Sequence, residues 1–229
     1  MKPDYTIRRA TKSDYMFLAE AVIKADLGTE GKNSSYAALL GVSNETAINS
    51  IAAMMDEEVG GCEFCPTTFL VAECENKPVA CVSSWIEGEN DISSWQIRTA
   101  LIREYFPKGS IEHILKLSEL TNEVMVHRTD GALQIESVFV SPEHRGHGLA
   151  SELIKAHVID AHNKNTSAKI VELMTYTNNE SAINSYSKLG FSIISKTCSN
   201  DSKALDFFPH NSMVLMQVEF EKLLKHIKI

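Results

Sequence analysis

Residues Val138 to Ile154 read VFVSPEHRGHGLASELI, an apolar run that passes through two glycines, an arginine and two histidines into an amphipathic stretch. Glycine loses more conformational freedom on folding than any other residue, so two of them where a strand becomes a helix imply that something approaches the backbone closely. Successive N–H groups of HRGHGLA are able to face one point, and the helix that follows adds the positive end of its dipole. An anion is expected there. Gly146 and Gly148 admit its oxygens, Arg145 adds a fixed charge, and Leu149, Ala150, Leu153, Ile154 and Val158 anchor the helix to a sheet. The loop is neither a Rossmann fingerprint nor a P-loop, because it lacks the third glycine of one and the lysine of the other.

On either side of this junction the pattern alternates. LQIESVFV is a strand whose period of two puts Gln134, Glu136, Val138 and Val140 on one face and Leu133, Ile135 and Phe139 on the other. Downstream, AKIVELMTY reads as a strand, NNESAINSYSKLG as a helix, FSIISKT as a strand, and SMVLMQVEF as a last strand that closes the sheet. Upstream, YTIRRA is a short strand, Thr11 caps the helix YMFLAEAVIKA, and NETAINSIAAMMDEEV is an amphipathic helix capped by Asn44 and ended by Gly60 and Gly61. A hairpin over Thr68 to Glu87 turns at ENKP. Between hairpin and junction, Asp91 to Val126 breaks the β rhythm with two helical periods split by PKG. The expected fold is α/β, with helices packed on a mixed sheet.

The chain has 229 residues, 44% of them apolar, enough for one large domain or two small ones. It contains no run of about 18 uncharged apolar residues and no apolar signal-peptide core, which leads to a cytoplasmic expectation without membrane association. A formal net charge of −8 argues against nucleic acid as a partner and favours cationic substrates. Five cysteines is an odd number without a disulfide framework, so reduced thiols are expected, and CEFC (Cys62 to Cys65) reads as structural or incidental. Glu87, Glu89 and Asp91 read as a solvated face, with the holding of a cationic substrate as the alternative, and Trp85 and Trp95 as core or lid packing.

Arg145, Gly148 and Ala150 form R-x-x-G-x-A, and with IRRATKSD near the start and NNESAINSYSKLGF after the junction the sequence resembles the GNAT superfamily of acyl-CoA N-acyltransferases. The likeness is loose over Tyr5 to Glu87 and close over Ala132 to Phe220, while Asp91 to Val126 is longer than the family's usual connection. It implies a single domain, residues 1–229, with a mostly antiparallel twisted sheet flanked by helices and a helical insertion between the third and fourth strands. The implied co-substrate is acetyl-CoA, no metal is required, and a bulge or splay of the fourth strand is expected to present an N–H to the thioester oxygen.

Carried over residue by residue, the resemblance implies that Val138 and Val140 pair through their backbones with the pantetheine arm, with Phe139 between them. Arg145, Gly146, His147, Gly148, Leu149 and Ala150 then form the pyrophosphate loop, and Asn179 bonds near the pantetheine. Tyr186 is the implied general acid toward the leaving thiolate, and Glu136 is the candidate base for the attacking amine. Without the resemblance, Tyr186 reads as a core-edge tyrosine, Glu136 as a substrate-binding or solvated carboxylate, and His144 and His147 as solvent-facing. The implied activity is acetyl transfer to a primary amine, small or peptide-borne, by direct attack in a ternary complex without an acyl-Cys198 intermediate. A non-catalytic coenzyme-A sensor of the same fold is the alternative, followed by an unrelated nucleotide binder. The insertion is expected over the acceptor side of the cleft, and a homodimer is admitted.

Overall fold

The computed structural model describes residues 4–27 and 34–228. Its strands β1 (Thr6–Arg9), β2 (Phe69–Cys74), β3 (Lys77–Ile86), β4 (Leu133–Val140), β5 (Ile170–Tyr176), β6 (Ser192–Cys198) and β7 (Ser212–Glu219) form one sheet. The order is β1-β2-β3-β4-β5-β7-β6, antiparallel throughout except between β4 and β5. The last strand therefore does not close the sheet: β7 slots between β5 and β6, leaving β6 at the edge. Sequence order alone does not reveal such an insertion, because both runs are equally β-like.

The β2–β3 hairpin turns at Glu75 and Asn76, with φ of 51° and 61°. Positive φ at both central residues is the hairpin turn whose twist matches that of the strands. β2 alternates between two cores: Phe69 and Val71 face one, Leu70 and Ala72 the other. The first core lies under α1 (Tyr15–Leu27), α2 (Ser35–Leu39) and α3 (Asn44–Met54). The second lies under α7 (Leu149–Asn163) and α10 (Phe220–Lys228). The first turn before α1 is fixed by a capping box between Thr11 and Asp14, and the Arg8 guanidinium clamps both Asp14 oxygens at 2.7 and 3.0 Å.

Three local expectations need correction. The cap of α3 is Ser43, whose Oγ accepts from the Thr46 N–H at 3.1 Å, rather than Asn44, which is the first helical residue. That helix passes at Met54 into a 3-10 turn, Met55–Glu57, which Glu58 ends in a left-handed conformation (φ 53°), before the glycines are reached. The insertion holds three helices, α4 (Ser94–Tyr105), α5 (Ser110–Lys116) and α6 (Ser118–Val124), because the second helical period breaks at Leu117. The terminal helix α10 was not read from the sequence, although Leu223 and Leu224 bury its inner face against the α7 core.

His157 on α7 is 3% exposed, and its Nε2–H donates to the Val82 carbonyl at 2.8 Å. Burial pushes its pKa from 6.5 down to about 4. The unfolded chain takes up a proton that the folded one refuses, so stability is expected to fall as pH drops from 6.5 to about 4, by up to about 3 kcal/mol. Urea titrations across this window check it: the wild type should lose stability on the acid side, and His157→Gln should show a shallower slope.

Candidate active site

The strand β4 is regular only up to its middle. Its β3 pairing jumps from Ser83↔Glu136 to Cys81↔Phe139, and Ser137 sits at φ 50°. Two residues thus oppose one, which is a β-bulge; it bends the strand and shifts the phase of its side chains. Leu133 and Ile135 share the α7 face with Val138 and Val140, whereas Phe139 packs with Cys81 and Phe17 on the α1 face. The strict period of two had grouped Glu136 with Val138 and Val140. That grouping is wrong, and the inserted residue is the reason.

The β4–β5 pairing covers only Leu133 to Ile135 against Val171 to Leu173. Beyond it the pairing stops, and among the described residues the second half of β4 has no strand paired to it on that side. A cavity of about 570 Å³ opens at this splay. Val138 and Tyr186 line it from one side of the sheet, Tyr36, Arg98 and Glu136 from the other.

Next to the open edge is the glycine junction. Ser141 to Arg145 make a single 3-10 turn, and Gly146 and Gly148 hold φ of 79° and 80°. A methyl group built on either would meet nothing within 4 Å, so bare backbone faces outward ahead of α7. Only glycine takes this conformation without strain. His147 is exposed, Leu149 is buried and Ala150 is half-buried at the start of α7. Arg145 is exposed, and its Nε–H donates to the Val140 carbonyl at 3.2 Å. His144 is not simply solvent-facing: its Nδ1 lies 3.0 Å from the Tyr5 hydroxyl.

Tyr186 on α8 (Glu180–Lys188) is buried beside Phe191, with ring centroids 6.3 Å apart, and it lines the cavity. Burial, aided by the Glu136 charge, raises its phenol well above 10, so it is protonated at neutral pH. The core-edge position and the position at the cleft both hold. Asn179 also lines the cavity, but its Oδ1 caps α8 by accepting from the Ala182 N–H at 3.3 Å.

Glu136 is neither isolated nor solvated. Its Oε1 accepts from Arg128 Nη2 at 2.6 Å, while Arg128 Nη1 donates to Gln134 at 2.9 Å and the guanidinium stacks over Trp85 at 5.1 Å. Burial raises the Glu136 carboxyl, Arg128 opposes the rise and the charge of Glu63 adds to it. Gln134 in turn donates to the buried Glu172, which also accepts from Gln217 and the Thr129 N–H. Glu87 is buried rather than on a solvated face: it accepts from Trp85 Nε1 at 3.1 Å and from the Ser94 N–H at 2.9 Å, whereas Glu89 and Asp91 are exposed. Trp85 is a core residue, and Trp95 is 48% exposed on the rim of the cavity.

Sequence reasoning missed Arg128, Arg98, Glu63 and Tyr36. Glu63, between the two cysteines of CEFC, is fully buried and accepts from the Tyr36 hydroxyl at 2.6 Å and from Arg98 Nη1 at 3.0 Å. Burial works against its charge, but the Arg98 and Arg128 guanidiniums outweigh burial and hold its carboxyl below the ordinary range. Cys62 and Cys65 are buried free thiols, and burial pushes that of Cys62 up to about 12. No cluster of three or more metal-ligating side chains occurs among the described residues, and no helix among them is long and apolar enough to cross a membrane.

Residues 44–191 match the model of the acetyltransferase (GNAT) family, and the chain belongs to that family. No curated protein matches it. Among solved structures it is similar to an N-acetyltransferase from Staphylococcus aureus Mu50, at 20% identity and a TM-score of 0.62 over 93% of this chain and 100% of that one. A protein of Salmonella typhimurium solved with its cofactor acetyl-CoA gives 15% identity and a TM-score of 0.53, over 95% and 94%. The ribosomal-protein-S18-alanine N-acetyltransferase from Escherichia coli gives 11% and 0.52, also over 95% and 94%. At such identities the likeness establishes the fold, and the family supplies the class: an acetyltransferase that uses acetyl-CoA.

Arg98 and Glu63 are a buried pair whose separation strands a charge. Arg98→Ala is therefore expected to destabilise the fold by about 3–5 kcal/mol in urea unfolding, whereas Glu63→Gln combined with Arg98→Gln should recover most of that loss.

Proposed function

We propose that this protein transfers the acetyl group of acetyl-CoA to a primary amine, small or peptide-borne, by direct attack with both substrates bound. The observation that carries the reading is the open half of β4, which lies between an outward-facing glycine loop and a cavity lined by Tyr186 and Glu136. The loop residues Arg145 to Ala150 would hold the pyrophosphate. Val138 and Val140 would pair with the pantetheine arm as an added strand, Phe139 packing away on the α1 face. The Val140 carbonyl already accepts from Arg145, so its part in that pairing requires Arg145 to swing out, as a guanidinium drawn to phosphate would do. Asn179, with Oδ1 spent on the cap, has its amide N–H groups for the arm.

Glu136 takes the proton of the attacking ammonium, a role favoured by burial that raises its carboxyl toward neutral pH. The amine nitrogen then bonds to the acetyl carbon as the carbon–sulfur bond breaks. Tyr186 gives its proton to the departing thiolate, and the second proton of the acylated nitrogen goes to the phenolate so formed, which leaves the neutral amide and a protonated Glu136 that returns its proton to solvent. Holding amine and thioester together removes much of the entropic barrier, and the bulge at Ser137 frees backbone near the thioester oxygen. The insertion contributes Trp95, Arg98 and Met125 to the cavity and so covers the acceptor side. An amine acceptor also fits the Escherichia coli neighbour, named for an alanine of ribosomal protein S18. Five free cysteines suit a reducing, cytoplasmic setting.

Tyr186→Phe is expected to lower kcat by about 10²-fold or more with little change in acetyl-CoA affinity, because the ring still packs and only the proton is lost. Wild-type kcat with chemistry limiting returns the tyrosine to the core. Gly148→Trp, which fills the bare backbone surface, should abolish acetyl-CoA binding in calorimetric titration; unchanged affinity contradicts the loop assignment.

A further inference from the structure

The cavity has an apolar wall on the side of the proposed base. Leu39 of α2, Ile114 of α5, Met125 just after α6, Met174 of β5 and Met213 of β7 pack into one cluster, and all five line the cavity. Met174 and Met213 face away from their neighbours Leu173 and Val214, which belong to the α7 core, so the cluster lies on the sheet face that carries Glu136. Tyr176 of the same cluster has a phenol raised well above its ordinary value, by burial first and then by the charges of Asp26 and Glu136, which sets the cluster within electrostatic reach of the base. Ile114, Met125 and Met174 are only half-buried. At the rim Trp95 and Leu115, both from the insertion, are 48% and 59% exposed. Large exposed apolar side chains at the opening of an apolar cavity mark a ligand site.

The charged groups of the cavity are already engaged. Arg98 donates to Glu63, Arg128 donates to Glu136, and the two Glu87 oxygens accept from Trp85 and the Ser94 N–H. Asp26 accepts from the Ser34 and Ser35 hydroxyls, the Ser35 N–H and the Tyr176 hydroxyl, which fills the roughly four lone-pair sites of a carboxylate. His127 and Asp130 also line the cavity but are exposed, where water and salt screen them. With one ammonium at Glu136, a second charge carried inward by the acceptor would lose its hydration without meeting a free counter-charge. A methylene or aryl group would instead be stabilised by leaving water, and the three thioethers adapt to its shape and contact aromatic rings favourably. We infer that the acceptor is a small primary amine on an apolar body, alkyl or aryl, seated against Leu39, Ile114, Met125, Met174 and Met213 with its nitrogen at Glu136. This rests on the acetyl-transfer reading and names the substrate class of the same site.

The test compares hexylamine with cadaverine, which has the same length and an ammonium in place of the terminal methyl, with thiol release from acetyl-CoA as the readout. The wild type is expected to prefer hexylamine by about tenfold or more in kcat/KM, and from propylamine to hexylamine kcat/KM should rise about three- to fourfold per methylene. Leu115→Ser, at a position 59% exposed where folding is preserved, and Met125→Gln, which keeps the length of the side chain and adds polarity, should each shrink the preference severalfold. The loss should come chiefly from a raised KM for hexylamine, with acetyl-CoA affinity unchanged. Equal or better use of cadaverine, a flat alkylamine series, variants that lower both amines equally, or acetylation of alanylglycine with hexylamine left untouched overturns the inference while leaving acetyl transfer intact. Acetyl-CoA binding with no amine acetylated at all overturns the acetyl-transfer reading, and the inference with it.

Discussion

One inserted residue in β4 governs the rest of the site. Ser137 at φ 50° carries a serine where L-residues rarely go, at a cost of about 1–3 kcal/mol that the surrounding sheet must offset. Below the bulge, β4 is an ordinary central strand with partners on both sides. Above it, the strand has β3 on one side and, among the described residues, no paired strand on the other. The β5 pairing stops two residues before Ser137, as expected where a bulged strand bends and twists more strongly. A central strand with one unpaired half is costly in isolation, because its backbone N–H and C=O groups lie beside a buried cavity. A ligand with amide groups of its own is the natural complement.

The bulge also turns Glu136 toward the α1 face while Val138 and Val140 stay on the other. That sets the proposed acid and the proposed base on opposite sides of the plane of the sheet. Tyr186 reaches the gap from the α7 core, and Glu136 reaches it from the side of α1 and the insertion. The buried charges on that side are tolerable only because each has a partner: Glu63 with Arg98 and Tyr36, Glu136 with Arg128, Glu87 with Trp85 and the α4 backbone. Separate segments of the chain, the CEFC turn, α2, the insertion and β4, are thereby tied to one place.

Much of this was legible beforehand, and for identifiable reasons. HRGHGLA announces its loop because glycine is the residue that permits a left-handed backbone and leaves bare N–H groups. The residues around it, NNESAINSYSKLGF, single out Tyr186, which the fold places on the cavity wall, and the alternating strands and helices predict the sheet. The phase of β4 was not legible: nothing about a serine marks positive φ, so the period of two ran on through the bulge and misgrouped Glu136. Glu63 is not legible because the cysteines of CEFC are the residues that carry a motif, and only the fold brings Tyr36 and Arg98 to its carboxylate. Arg128 lies between the insertion and β4, where no periodicity points to a side chain. Its role depends on contacts with Gln134 and Glu136 that only the fold creates.

The central claim is that the unpaired half of β4 and the glycine loop together receive acetyl-CoA. Amide hydrogen exchange with and without acetyl-CoA tests it most directly, since new backbone bonds slow exchange where they form. The account expects added protection concentrated in two segments, residues 137–140 and 145–150, with β6 and the β1–β2 edge unaffected. Protection that spares both segments while acetyl-CoA demonstrably binds would contradict it.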